Sequence, residues 1–205
     1  MSRLQKYLLN EAIIWNDIDI NKWIGILEDE CQPYLKECRK VDDFLYRGSP
    51  KSNSEGIFKL KPRMDRRPMD TPRELHNYLD KLFKKKFGWE VRSEGVFVTG
   101  DDYQADNYGI VYLFFPIGQF KYVWSPKISD MLHYLDGKNF VEQTFGWELT
   151  ADIENSKILQ DMVNTYTDKG LSKAIANEGE ISVKCKEYYL FEGNKYERDF
   201  GRELL

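Results

Sequence analysis

Glu178-Gly179-Glu180-Ile181-Ser182-Val183-Lys184-Cys185 sets two carboxylates two residues apart, just before a run that alternates apolar and polar side chains. That alternation marks a strand with one buried face. Within a strand, residues i and i+2 point the same way, so Glu178 and Glu180 at its mouth are expected to aim at one cleft. Like charges on one face repel unless a cation, or a ligand rich in hydroxyls, lies between them. The plainer reading is a solvated acidic turn before an edge strand, the usual fate of carboxylates.

Outward from this stretch the chain is a mixture. Upstream, residues 155–168 carry a helical stripe of Ile158, Leu159, Met162, Val163 and Tyr166, and a short helix over 171–177 delivers the chain to Glu178. Downstream, Tyr188-Tyr189-Leu190-Phe191 reads as an apolar strand, and the charged residues from Glu192 onward as periphery. Ile110 to Pro116 and Gln119 to Ser125 are two strands with so short a link that an antiparallel hairpin is expected. A helix over 126–135 follows, and residues 137–153 fit no single pattern.

Thr71-Pro72-Arg73-Glu74 has the form of a capping box with proline at the first helical position. The helix it opens runs to Phe87, with Gly88 as its stop, and places His76 off the apolar stripe, at the surface. Residues 3–15 and 18–40 read as helices, the second interrupted at Pro33. Phe44-Leu45-Tyr46-Arg47-Gly48 is a short strand, and residues 49–70 a long polar connection. The order gives an α+β fold dominated by antiparallel pairing, with a helical extension over residues 1–41 and the main domain over 42–205.

Net charge is -4, which argues against a purely electrostatic nucleic-acid binder. It leaves room for a local basic patch, and Lys59, Lys61, Arg63, Arg66, Arg67 and Arg73 supply one. The three cysteines, Cys31, Cys38 and Cys185, form no CxxC pair and no cluster with histidine. Neither a zinc site nor a disulfide framework is indicated, and a reducing cytoplasmic compartment is expected. No apolar run of membrane-spanning length and no signal peptide is visible. Glycine-rich phosphate loops and the GxSxG and HExxH motifs are missing, and two histidines give little support to triad or metal chemistry. An arginine at the end of a buried strand, as at Arg47, needs a partner because its charge is expensive to desolvate. That partner is a carboxylate in a structural pair or a phosphate in a site.

Three pieces taken together resemble the mono-ADP-ribosyltransferase superfamily of the arginine–serine–glutamate type. They are Tyr46-Arg47-Gly48, Phe97-Val98-Thr99-Gly100 and Glu178-Gly179-Glu180-Ile181, in the family's order. The combination of Thr71-Pro72-Arg73-Glu74-Leu75-His76, Phe97-Val98-Thr99-Gly100-Asp101 and the segment from Phe115 to Pro126 is similar to that of small phage and bacterial proteins of this group. The resemblance covers roughly residues 42–191. It departs from the family at the middle motif, where Ser-Thr-Ser is usual and Val98-Thr99-Gly100 keeps one hydroxyl.

The resemblance implies a split antiparallel β core and a transferase that breaks the nicotinamide–ribose bond of NAD without a metal. Glu180 would stabilise the oxocarbenium-like ribose, and Glu178 would orient or deprotonate the acceptor. Arg47 and Gly48 would hold the cofactor's phosphates. Thr99 would support Glu180, and Tyr108, or else Tyr103, would stack on nicotinamide. Arg63, Arg66 and Arg67 would touch phosphates or the acceptor, a protein side chain or an RNA or DNA base. A toxin of this kind implies an antitoxin or immunity protein as partner, and no membrane. Two other readings stay open: an inactive structural or interaction protein that keeps the fold, and a nucleic-acid-binding domain built on the basic run and Lys84 to Lys86.

Overall fold

Ile110–Pro116 and Lys121–Trp124 are joined by residues 117–120, yet they do not pair with each other. The expected hairpin is absent, and its absence explains the topology. The computed structural model describes residues 13–15, 19–49, 57–63, 71–143, 147–150, 153 and 156–205. In chain order its elements are β1 (Ile13–Trp15), α1 (Ile20–Glu30), α2 (Gln32–Cys38), β2 (Leu45–Ser49), β3 (Ile57–Leu60), α3 (Arg73–Phe87), α4 (Val91–Glu94), β4 (Val96–Thr99), α5 (Asp102–Asp106) and β5 (Ile110–Pro116). Then come β6 (Lys121–Trp124), α6 (Met131–Asp136), β7 (Val141–Gln143), β8 (Trp147–Leu149), α7 (Lys157–Asn164), α8 (Leu171–Ile175), β9 (Glu180–Lys184), β10 (Tyr188–Glu192) and α9 (Gly193–Leu204).

The main sheet runs β1-β3-β10-β5-β2-β4-β9-β6, and β7 pairs with β8 in a small separate ribbon. Every pairing is antiparallel. β5, apolar nearly throughout, lies between β10 and β2, where both faces are covered. β6 opens with exposed Lys121 and takes an edge beside β9. The 117–120 link is held elsewhere: the amide of Ile117 donates to the Glu187 carbonyl at 3.0 Å, and that of Gly118 to the Glu30 carbonyl at 2.8 Å.

The sheet has two halves. β1, β3, β10, β5 and β2 form one, and β4, β9 and β6 the other. A single residue pair, Tyr46 opposite Thr99, joins them. Both tight links, 117–120 and 185–187, cross from one half to the other. Apolar side chains of both halves, such as Leu45, Phe114, Val98 and Ile181, belong to one core. A second apolar cluster, with Leu79, Phe83, Met131, Leu159 and Met162, lies among α3, α6 and α7.

Several elements depart from the sequence reading. Residues 13–15 are an edge strand against β3, not the end of a helix, because β3 offers an open ladder there; residues 1–12 lie outside the described residues. β3 itself falls in what reads as a polar connection, since Ile57, Phe58 and Leu60 are too few to show a period. Helices α1 and α2 are split as Pro33 requires, and their apolar faces join the main core. Trp23 meets Tyr189 and Phe191 edge-on at 5.2 Å, and Leu27, Tyr34 and Leu35 are fully buried in the main core. The C-terminal residues are not peripheral: α9 buries Phe200 against Phe115 and Phe191. Its many charges hid one apolar face. Ile158, placed on the buried stripe of α7, is exposed.

Among the described residues no helix is long and apolar enough to cross a membrane. The thiols of Cys31, Cys38 and Cys185 are buried and unbridged, and burial pushes that of Cys185 up to about 12. Phe200→Ala is expected to lower stability by about 3–5 kcal/mol, the usual result of emptying a buried aromatic site. A urea titration followed by circular dichroism measures it, and a loss under ~1 kcal/mol would show α9 to be an appendage.

Candidate functional site

The three motif strands are consecutive neighbours in the sheet: β2 with Arg47, β4 with Thr99, β9 with Glu180. Thr99 stands directly opposite Glu180 across β4 and β9, and opposite Tyr46 across β2 and β4. Arg47 is one residue off that row. Beyond the Tyr46–Thr99 pair the two strands part, and the Arg47 guanidinium crosses the gap to donate to the Phe97 carbonyl at 2.9 Å. Its described partner is thus a main-chain oxygen, not the carboxylate expected of a structural pair.

Thr99 is a junction. Its hydroxyl donates to the Glu178 carbonyl at 3.1 Å and accepts the Asp101 amide at 3.1 Å. It therefore ties the turn before β9 to the turn before α5. Glu178 needs such a tie because its φ is +55°, a region that costs a non-glycine residue about 1–2 kcal/mol. The turn is held from the other side too, since the Glu180 amide donates to the Ser129 carbonyl at 2.9 Å. Thr99 thus supports the backbone in front of Glu180. At Gly100 a Cβ would fall 1.7 Å from the Ile175 carbonyl oxygen. α8 sits so close that only glycine fits.

The two glutamates do not share a face. β9 begins at Glu180, so strand alternation does not reach back to Glu178, which lies exposed in the left-handed turn. Glu180 is half-buried and lines a cavity with Phe83, Val91, Arg92, Phe97, Met131, Tyr166 and Ser182. The cavity is about 10 Å³, room for about one water molecule. Ser182, two residues along the same face of β9, donates from its hydroxyl to the Val91 carbonyl at 3.0 Å. That bond pins α4 over β9 and brings Arg92 beside Glu180.

Arg92 is the residue that the sequence did not reveal. It sits in Trp89-Glu90-Val91-Arg92-Ser93-Glu94, where charges outnumber apolar residues and nothing marks one as internal. Its guanidinium is buried over the Phe97 ring, at 5.6 Å from the centroid. Nη2 donates to Thr71 Oγ1 at 2.9 Å, and Nη1 approaches Met131 Sδ at 3.3 Å. Nε has no hydrogen-bond partner. Burial lowers the pKa of Arg92, and the neighbouring charge of Glu180 opposes that shift. Burial likewise raises that of the Tyr166 phenol.

Thr71 therefore serves Arg92 rather than capping α3, whose first turn has no side-chain cap. His76 is buried, not at the surface. Its Nε2 lies 2.9 Å from Ser93 Oγ, and that hydroxyl donates to Asp80 Oδ2 at 2.5 Å. This is no nucleophile–base pair. Asp80 also accepts the amides of Arg92 and Ser93, so it caps α4 from outside and consumes the serine's proton.

The remaining expected residues occupy the surface near β2. α5 packs onto Gly48 so tightly that a Cβ there would lie 2.0 Å from the Ala105 carbonyl oxygen and 2.7 Å from Tyr108 Cβ. Tyr108 and Tyr103 are 60% and 84% exposed. Arg63 is exposed after β3, while Arg66 and Arg67 lie outside the described residues. Part of the basic patch is used internally. Lys59 lies between Glu30 and Glu187, at 3.9 and 3.5 Å, Lys84 pairs with Glu90, and Lys86 donates to the carbonyls of Val163, Asn164 and Tyr166.

No family model matches the chain, and neither does a curated protein or a solved structure.

Thr99→Val removes both bonds of the junction and is expected to cost about 1–3 kcal/mol, with faster hydrogen exchange at the Asp101 amide; Thr99→Ser is expected to keep both properties near wild type. Gly100→Ala is expected to lose about 1–3 kcal/mol or more by overpacking. Thermal denaturation and amide exchange of the three variants decide these points.

Proposed function

We propose that this protein is an NAD-dependent mono-ADP-ribosyltransferase with a split antiparallel β core, acting as a cytoplasmic toxin or effector on a macromolecular acceptor. The observation that carries the reading is the convergence of three motifs, distant in sequence, on consecutive strands, with Thr99 directly opposite Glu180. The break in the sheet at one residue pair supports the split core. The unbridged cysteines suit a reducing compartment.

The chemistry would run as follows. The C1′–N bond of NAD breaks, and its electron pair leaves with nicotinamide, neutralising the pyridinium. C1′ becomes oxocarbenium-like, and Glu180 stabilises that charge from a strand end whose position Thr99 and Ser129 hold. A lone pair of the acceptor forms the new bond to C1′, and the acceptor's proton passes to the exposed carboxylate of Glu178. Arg47 exchanges its carbonyl partner for a phosphate oxygen, and Tyr108 or Tyr103 stacks on a ring of the cofactor. A cavity of one water at Glu180 means that the surrounding side chains must part to admit ribose. Protein and nucleic-acid acceptors both remain in this reading, and an antitoxin is expected from the role.

A second reading rests on that same small cavity: Glu180 as the counter-charge of Arg92 in an inactive protein that keeps the fold. Incubation with labelled NAD and a cell lysate, followed by protease or nuclease digestion, separates the two. The expected result is nicotinamide release and label in one macromolecular fraction. Glu180→Gln is expected to lower the rate about 10²–10³-fold, the range for removing one group that stabilises transition-state charge. Arg47→Lys is expected to raise KM for NAD more than it lowers kcat. No release and no label would count against the transferase reading.

A further inference from the structure

Arg92 belongs to none of the three motifs, yet it lines the same cavity as Glu180. A guanidinium cannot shed its proton inside a protein, so its charge must be compensated where it sits. Its hydrogen bonds do little of this. Thr71 offers a neutral hydroxyl and Met131 a weakly accepting sulfur, and Nε has no partner.

The titratable groups around it come from each neighbouring element. α3 contributes His76 and Asp80, and the Asp80 carboxylate is already engaged by two amides and the Ser93 hydroxyl. The turn before α6 contributes Asp130, whose carboxylate accepts the His133 amide at 2.8 Å and lies 3.1 Å from His133 Nδ1. The segment after α7 contributes Tyr166, which stays protonated. β4 contributes only the Phe97 ring. β9 contributes Glu180, the one carboxylate among the residues lining the cavity.

We infer that Arg92 is a positioning residue for Glu180: its buried guanidinium holds that carboxylate ionised and turned into the cavity. The catalytic meaning of this role rests on the transferase reading. The Ser182 hydroxyl maintains the pairing by fixing α4 on β9, and the Phe97 ring beneath the guanidinium limits its swing. The pair works in both directions. Glu180 keeps Arg92 tolerable in the interior, and Arg92 delivers Glu180 to the reaction already charged, as a group meeting a cationic ribose must be.

The test is the protonation midpoint of Glu180, read by carbon NMR on glutamate-labelled protein and assigned by its loss in Glu180→Gln. In folded wild type it is expected to lie below that of the same carboxyl in urea-unfolded protein. In Arg92→Met it is expected to rise by about one pH unit or more, and in Arg92→Lys to return most of the way. A wild-type midpoint at or above the unfolded value overturns the inference without any variant having to fold, and so does an unchanged midpoint in folded Arg92→Met. The acid limb of kcat/KM for nicotinamide release is expected to move with the NMR midpoint; a limb that stays put removes the positioning role. Wild type without NAD turnover, in which Arg92→Met still raises the midpoint, sinks the transferase reading and leaves the pairing of Arg92 with Glu180 standing.

Discussion

One backbone pair, Tyr46 against Thr99, holds the two halves of the sheet together. Everything at the candidate site follows from how little joins them there. Where β2 and β4 part, a guanidinium bridges the gap by taking the Phe97 carbonyl. Where β4 ends, a threonine hydroxyl binds two turns at once. A longer ladder between β2 and β4 would have offered the Phe97 carbonyl a main-chain donor instead. The break in the sheet concentrates Arg47, Thr99 and Glu180 at its centre.

The two halves are covered differently, and this separates two kinds of work. The half with β5 and β10 is sealed by aromatic side chains and by α1, α2 and α9, with Trp23, Phe115, Phe191 and Phe200 meeting edge to face. Such packing fixes the position of Arg47 at the margin of a stiff core. The half with β4 and β9 lies under a polar layer in which Asp80, Ser93, His76, Thr71 and Arg92 bond to one another or to backbone. A buried polar network of this kind is stable only when its members are satisfied, and Arg92 Nε is one atom at which it is incomplete. Arg92 also lines the cavity of Glu180.

Much of this was legible beforehand. The strand entered by Glu-x-Glu, the strands bearing Arg47 and Thr99, the break at Pro33 and the aromatic strand at Tyr188 all follow from short-range pattern. What misled was equally physical. The alternation that marks β9 does not extend to Glu178, because one left-handed residue ends it. A short link between β5 and β6 suggests a hairpin, but two strands can be close in sequence and still belong to different halves. α9 reads as charged periphery because burying Phe200 and Leu204 needs only one face of a helix. His76 reads as surface, and Arg92 goes unmarked, because a polar residue is buried only when partners arrive from elsewhere in the chain.

Sequence by itself determined the class of fold and the identity of the three motif strands, since those depend on period, turn residues and the chemistry of a few side chains. Tertiary structure alone decided which strands are neighbours, that Gly100 is glycine because the Ile175 carbonyl leaves no room for a Cβ, and that Glu180 and Arg92 line one cavity. The reason is range. Period acts over a few residues, whereas the packing of α4 on β9 joins residues about ninety positions apart through one serine hydroxyl.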